Sequence, residues 1–395
     1  MAAPKKKPVA PVRKKPAAPA KSSAADIVAK AVEGMTKKFG QGSVIIPTKS
    51  TVLCKVETWA TSSNFVIDSA IAGGNVIPGG LPFGRLTEIA GRNGSGKTTL
   101  LGHFVAATQK MGGLAAVADT EQALDLGYWD KLGVDLEHLI ITQAECIEEV
   151  FERFEHLITV VRSLGTAVPI LIGWDSLGGT PTRAQLNATA DKKFYAEAAK
   201  VVGQNLQRTI QMISRQQIAL VFVNHLYRDI NVQYGDPWQS YGGEKVQFHS
   251  SLRLRLIKGA AIKEAGAGEG GNSEEGDDDD SSDKDTIGHM NRVQVLKNKM
   301  APVLRTVKVP CLGNRGFDPN FIVYSQGMKM KVITKSKAWC KWEPSDGDEV
   351  NFQGWAGFKE KVMTHELYQE LVDEIRNRYV LSRRVDQDSS ENEEE

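Results

Sequence analysis

Cysteine is scarce in this chain. The 395 residues include four, Cys54, Cys146, Cys311 and Cys340, and no two are close enough for a metal knuckle or a CxxC redox pair. Free thiols in a reducing compartment are the reading this leaves, with the cytoplasm as the expected location. Long apolar runs are also missing. No stretch approaches the roughly 20 residues of a membrane helix, so no membrane partner is expected. The opening MAAPKKKPVAPVRKKPAAPAK has no apolar h-region and does not read as a secretory signal. Net charge is nearly absent: 49 basic residues face 48 acidic ones, for a formal +1, which excludes a uniformly basic nucleic-acid coat.

That near-zero sum hides asymmetry. Lys5, Lys6, Lys7, Arg13, Lys14, Lys15 and Lys21 stand in residues 1–21 without an acid. Residues 264–285 are dominated by Asp and Glu, and so are residues 386–395. The prolines and repelling lysines of residues 1–22 predict a disordered basic arm. Ile27, Val28, Ala31, Val32, Met35 and Phe39 then fall at helical spacing behind a Ser22/Ser23 cap, and residues 43–46 read as a short strand. Residues 23–55 form a small N-terminal unit on this reading.

From about residue 56 to 318 short apolar runs alternate with helical stretches. The runs are RLTEIA, LAAVA, residues 139–142, ILIGW and IALVFV. Such alternation predicts an α/β fold with a largely parallel, doubly wound, twisted sheet. The acidic segment 259–287 reads as a disordered surface insert between two strands. Residues 319–384 read as a small α+β C-terminal domain with a helix over 365–378, and 385–395 as an acidic tail.

Gly91, Arg92, Asn93, Gly94, Ser95, Gly96, Lys97 and Thr98 match GxxxxGK[ST], with Thr99 next, between a strand and a helix. Glycines there turn backbone N–H groups around phosphate oxygens, and the helix start adds its positive dipole end. Lys97 is the residue that reaches the β- and γ-phosphates. Thr98 and Asp175, which ends the apolar run PILIGW, are the expected Mg²⁺ ligands. LAAVA ends in Asp119-Thr-Glu121. An acid there can polarise a water for attack on the γ-phosphate, with Glu121 the candidate and Asp119 the alternative. ALVFV ends in Asn224-His225, where a polar side chain can sense the γ-phosphate. These residues predict a Mg²⁺-dependent ATPase and leave the second substrate open.

The ordered series AVEGMTKKFGQGSV, GGLPFGRLTEIAGRNGSGKTTL, ADTEQALDLGYWDKLGVD, LIGWDSLGGTPTRAQL, LVFVNHLYRDINVQYGDPWQSYGGEKVQFHSSLRLRL and VQVLKNKMAPV resembles the RecA-type homologous recombinases over roughly residues 24–340. It resembles a divergent member more than a typical bacterial one. The resemblance implies an ATP- and Mg²⁺-dependent recombinase that polymerises on single-stranded DNA and pairs it with homologous duplex DNA. It implies that Glu121 is catalytic, that Tyr128 stacks on adenine with Asp125 beside it, and that Lys297 and Lys299 reach the γ-phosphate of a neighbouring protomer. Asn224 matches the family, whereas His225 stands where the bacterial pattern has glutamine. DNA binding maps to two loops. Residues 178–193 carry Arg183, Lys192 and Lys193; residues 226–243 carry Arg228, Tyr234, Trp238, Tyr241, Gly242 and Gly243. The N-terminal unit is then expected to build a helical homo-filament with ATP at protomer interfaces. A hexameric helicase-like motor, an accessory DNA-coating filament and a small-molecule kinase are the alternatives.

Overall fold

A computed structural model describes residues 23–40, 44, 46, 56–73, 79–188, 195–214, 216–228, 235–263, 286–302 and 306–391. It divides into two units, residues 1–55 and 56–395. The described part of the first unit is essentially one helix, α1 (Ala24–Phe39). Ser23 caps it: its hydroxyl accepts the Asp26 N–H, and the Asp26 carboxylate accepts the Ser23 N–H in return. Gly40 ends it at a positive φ. Ile27, Val28, Met35 and Phe39 are exposed. Of the strand expected at 43–46, Ser43 and Ile45 lie outside the described residues, and Val44 and Ile46 are not in a strand.

The second unit begins with β1 (Trp59–Ala60), α2 (Phe65–Ile71) and β2 (Leu81–Pro82). The alternating core follows: β3 (Leu86–Gly91), α3 (Lys97–Lys110), β4 (Leu114–Asp119), α4 (Leu126–Lys131), β5 (Leu139–Thr142), α5 (Ile147–Ser163), β6 (Ile170–Asp175), α6 (Arg183–Leu186), α7 (Tyr195–Ile213), β7 (Ile218–Arg228), β8 (Trp238–Ser240) and α8 (Gly243–His249). Three long strands complete the sheet: β9 (Leu252–Lys263), β10 (Thr286–Asn298) and β11 (Thr306–Leu312). The order is β11-β10-β9-β3-β7-β6-β4-β5, with β8 added to β7. Pairs from β9 through β5 are parallel, and β9–β10–β11 are antiparallel. The predicted largely parallel sheet is therefore present.

Its central strands are apolar throughout because both faces are covered. Along β7, Ala219, Val221 and Val223 join the core on the α3 side, with Leu100, Leu101 and Phe104. Ile218, Leu220 and Phe222 join the core on the side of α5 and α7. This is the period of two that pleating imposes. Helix α5 answers with Ile147, Val150, Phe151, Phe154, Ile158 and Val161 on one stripe. Trp174 is fully buried at that interface, with its ring centroid 5.5 Å from Phe151 and 5.2 Å from Phe222. Burying such a side chain contributes roughly 2–3 kcal/mol.

Helix α9 (Pro319–Lys329), the sheet β12 (Ile333–Ser336), β13 (Trp339–Trp342) and β14 (Val350–Phe352), α10 (Gly354–Gly357) and α11 (Tyr368–Glu391) close the chain. Phe321, Trp342, Phe352, Phe358 and Ile375 form their core, which Ile262 of β9 and Leu312 of β11 enter. Two boundaries differ from the sequence reading. The strands bordering the acidic insert reach further into it, to Lys263 and from Thr286, because Ile262 is buried and the ladder holds it in register. Residues 264–285 lie outside the description. Helix α11 runs beyond 378, through the start of the acidic tail, to Glu391.

Register sets up the site. Parallel pairing places Gly91 beside His225 and Asp119 beside Asp175. The carboxyl ends of β3, β4, β6 and β7 thus lie along one edge, where ligands bind in open α/β sheets.

Candidate active site and nucleic-acid interface

The loop between β3 and α3 is shaped by its glycines. Gly94 and Gly96 have φ of 69° and 81°, and Gly96 occupies the N-cap of α3. At Gly91 a Cβ would meet Ser95 Oγ at 2.4 Å and the Leu256 carbonyl at 2.6 Å. Inside the loop the Arg92 carbonyl accepts three hydrogen bonds: from Ser95 N–H (3.3 Å), Ser95 Oγ (2.7 Å) and Lys97 Nζ (2.9 Å). Asn93 and Gly94 are exposed at the tip. Burial holds the Lys97 ammonium below its usual pKa, against the opposing charges of Asp175 and Glu121.

Thr98 Oγ1 donates to Asp175 Oδ2 at 2.6 Å. Burial raises the Asp175 pKa, the Thr98 hydrogen bond works against that, and the Glu121 charge raises it further. Both residues offer hard oxygen donors at one point. No cluster of three or more His, Cys, Asp or Glu suited to a metal occurs among the described residues. Such a pair fits Mg²⁺, which takes one or two protein oxygens and fills its octahedron with phosphate and water.

Asp119 and Glu121 divide their duties. Asp119 is buried and accepts the backbone N–H groups of Ala123 (3.4 Å) and Leu124 (3.2 Å), which folds the turn after β4. Glu121 stands in the open site. Its Oε1 accepts the Ser176 hydroxyl and lies 2.9 Å from His225 Nε2. Burial would raise the Glu121 pKa, but the hydrogen bonds of Ser176 and His225, with the charges of His225 and Lys97, bring it below the ordinary glutamate value. Glu121 is therefore ionised at neutral pH.

Beside the loop opens a cavity of about 390 Å³. Gly94 to Thr99 and Tyr128 form one wall. The Tyr128 hydroxyl meets Thr99 Oγ1 at 3.2 Å. Asp125 caps α4 by accepting the Tyr128 N–H at 2.9 Å, so it orients that residue through its backbone. The opposite wall was not foreseen from sequence: Thr286, Gly288, His289 and Asn291 of β10, with Cys311 of β11 and Gly313 just after it. Asn291 Nδ2 donates to the Ser95 carbonyl at 3.0 Å and ties that wall to the loop. Gly288, where a Cβ would strike the Cys311 carbonyl, is the only local hint the sequence held.

Two expectations, for Asn224 and Arg183, are corrected by side-chain placement. Asn224 does not face the loop. It is fully buried, and its Nδ2 donates to Glu88 Oε1 (2.9 Å) and the Tyr241 carbonyl (2.8 Å), because the buried Glu88 carboxylate needs a donor. Arg253 holds the other Glu88 oxygen at 2.5 Å. Arg183 does not project from a loop. It begins α6, its backbone N–H donates to Glu148 and its guanidinium pairs with Glu152 at 3.2 Å. Within the single chain, Lys297 and Lys299 lie against α8. Lys297 Nζ donates to the carbonyls of Gln247 (2.7 Å) and Phe248 (2.9 Å), and both ammonium groups lie over the Phe248 ring.

The two loops meet at their bases, where a Cβ on Gly178 would come within 2.9 Å of the Tyr241 ring. Arg228 ends β7 exposed, and Trp238 of β8 pairs with it in the ladder. Gly242 and Gly243 start α8 with φ of 86° and 70°. Lys192, Lys193 and Tyr234 lie outside the described residues.

Comparison with known proteins agrees with this geometry. The RecA N-terminal domain family matches residues 26–318. The RecA protein of Thermotoga neapolitana is 30% identical over 364 residues, covering 92% of this chain and 95% of that protein. That of Brucella anthropi is 33% identical over 322 residues, 82% of this chain and 80% of its own. That of Porphyromonas gingivalis is 30% identical over 347 residues, 88% and 92%.

Proposed function

The chain belongs to the RecA family, and from that membership we propose how its residues divide the work of an ATP-driven DNA recombinase. The protein acts in recombination and repair as a DNA-dependent ATPase. It forms a filament on single-stranded DNA, pairs that strand with homologous duplex and exchanges strands.

The convergence of Lys97, Thr98, Asp175 and Glu121 at one edge of the sheet is the observation that carries the residue assignment. Residues 91–97 cradle the phosphates through backbone N–H groups, and Lys97 neutralises charge on the transferring phosphoryl group. Thr98 and Asp175 are the residues that would hold Mg²⁺, which would supply charge neutralisation to the phosphates. Glu121, ionised and aimed by Ser176 and His225, orients the attacking water and accepts its proton. Tyr128 and the β10 wall take the base and ribose.

The loops 178–193 and 226–243 are the DNA-facing segments, with Arg228 and Trp238 the described side chains best placed to meet phosphate and base. Lys297 and Lys299 serve the γ-phosphate of an adjacent protomer, and α1, with its exposed apolar side chains, serves self-association into the filament. Among the described residues no helix is long and apolar enough to cross a membrane.

The test is steady-state ATP hydrolysis with and without single-stranded DNA, beside a Lys97→Ala control. Stimulation by DNA that the control lacks supports the assignment; hydrolysis indifferent to DNA overturns it.

A further inference from the structure

The Arg92 guanidinium lies over the Trp238 ring, 5.6 Å from its centroid. One residue belongs to the phosphate loop and the other to the strand of the second DNA-facing loop. The loop motif grips phosphate through backbone N–H groups and its lysine, and leaves the side chain at its second position unspecified. Here that position carries a cation, and an aromatic ring lies beneath it.

Both partners are tied to the machinery on either side. The Arg92 carbonyl is the acceptor of Lys97 Nζ. Trp238 is held by its backbone: Asp236 Oδ1 accepts its N–H at 3.1 Å, and its carbonyl accepts Arg255 Nη2 at 3.4 Å. Arg255 also pairs with Asp236 at 2.5 Å. It is buried on β9, opposite Ala90 of β3, the residue before the phosphate loop begins. The contacts therefore close a circuit from β3 through Arg92, Trp238 and Arg255 back to β3.

Each end of the Arg92–Trp238 contact suits a different ligand. A polyphosphate attracts a guanidinium, and an unstacked base attracts an indole face. We propose that Arg92 and Trp238 are positioning residues whose contact couples nucleotide binding to DNA binding within one protomer. Nucleotide draws the guanidinium off the ring, and a DNA base takes the ring. Whichever ligand arrives first bears the cost of parting them, so the second binds more tightly. The coupling is reciprocal by linkage, and the contact's own strength limits it to roughly three- to tenfold. This inference rests on the reading that residues 226–243 meet DNA.

The experiment compares the full-length protein with Trp238→Leu, Trp238→Phe and Arg92→Met. Calorimetric titration with Mg·ADP in the absence of DNA is the primary measurement. Trp238→Leu, which removes a ring outside the nucleotide cavity, is expected to bind Mg·ADP roughly three- to tenfold more tightly, and Trp238→Phe to bind as the parent does. Arg92→Met is expected to bind single-stranded DNA more tightly without nucleotide, and to lose most of the gain that nucleotide gives the parent. Unchanged or weaker Mg·ADP binding by Trp238→Leu, with a melting temperature near the parent's, overturns the proposal. If Trp238→Leu does not fold, nucleotide-free DNA binding by Arg92→Met decides it alone: binding tighter than the parent's supports the proposal, and equal or weaker binding overturns it. DNA-stimulated hydrolysis by the parent separates the two failures. If it is present and the variants show no shift, the coupling alone falls; if it is absent, the DNA reading falls and takes the coupling with it.

Discussion

His225 Nε2 lies 2.9 Å from Glu121 Oε1, although His225 stands in β7, Glu121 follows β4, and 104 positions separate them. His225 of β7 is thus hydrogen-bonded to the candidate base after β4. His225→Gln keeps a donor on Glu121 and is expected to retain DNA-stimulated hydrolysis. His225→Leu removes the donor and is expected to lower the stimulated rate roughly tenfold, the worth of one such hydrogen bond. Glu121→Gln should lower hydrolysis by about 10² to 10⁴ while nucleotide still binds. Initial rates and nucleotide titrations with each variant check this, and an active Glu121→Gln protein would move the base to another residue.

Lys97 and the Thr98–Asp175 pair are expected to make separable contributions. Lys97→Ala is expected to lower kcat by roughly 10² to 10³ through lost charge stabilisation. Thr98→Val removes the hydroxyl and keeps the shape. Its defect should shrink as Mg²⁺ is raised, whereas that of Lys97→Ala should not. Rates measured across a Mg²⁺ series distinguish the two.

His103 on α3 gives the fold a pH dependence. It is buried, its Nε2 accepts the Phe317 N–H at 3.0 Å, and burial with the Lys110 charge lowers its pKa to about 4 from an ordinary 6.5. The unfolded chain binds this proton more readily than the folded one. The stabilisation is therefore complete above pH 6.5, declines as pH falls, and is gone below about 4. The full span is about 3 kcal/mol. Asp68 acts in the opposite sense: burial raises its carboxyl to about 6, so its contribution is present at low pH and lost as pH rises through 6. Urea titrations at several pH values, with His103→Gln as reference, isolate the His103 part. A difference between the two proteins that is flat from pH 4 to 6.5 would falsify it.

Glu88 is fully buried between Arg253 and Asn224, one on each carboxylate oxygen. Arg253→Met leaves that carboxylate with one donor, and the expected loss is about 3–5 kcal/mol of stability. Adding Glu88→Gln removes the buried charge, so the double variant should be more stable than Arg253→Met alone. Denaturant midpoints of the single and double variants test this. Equal midpoints would mean the carboxylate is not held by this pair.

The sequence alone determined whatever local geometry and strand period dictate. GRNGSGKT between an apolar strand and a helix fixes a phosphate loop, because only glycines at 94 and 96 adopt the left-handed backbone it needs. Acids at the ends of LAAVA and ILIGW had to emerge at one edge, because parallel strands bring their carboxyl ends together. Tertiary structure decided where the other side chains point. Asn224 turned inward because Glu88, far away in sequence, needed a donor; Arg183 was claimed by Glu152 of α5; the far wall of the cavity came from strands that border the acidic insert. Trp238 found Arg92 because β8 folds back along β7, which lies beside β3. A short apolar run announces its own end, but the partner of a charged or aromatic side chain is set by packing between distant segments, where burial forces every polar group to find one.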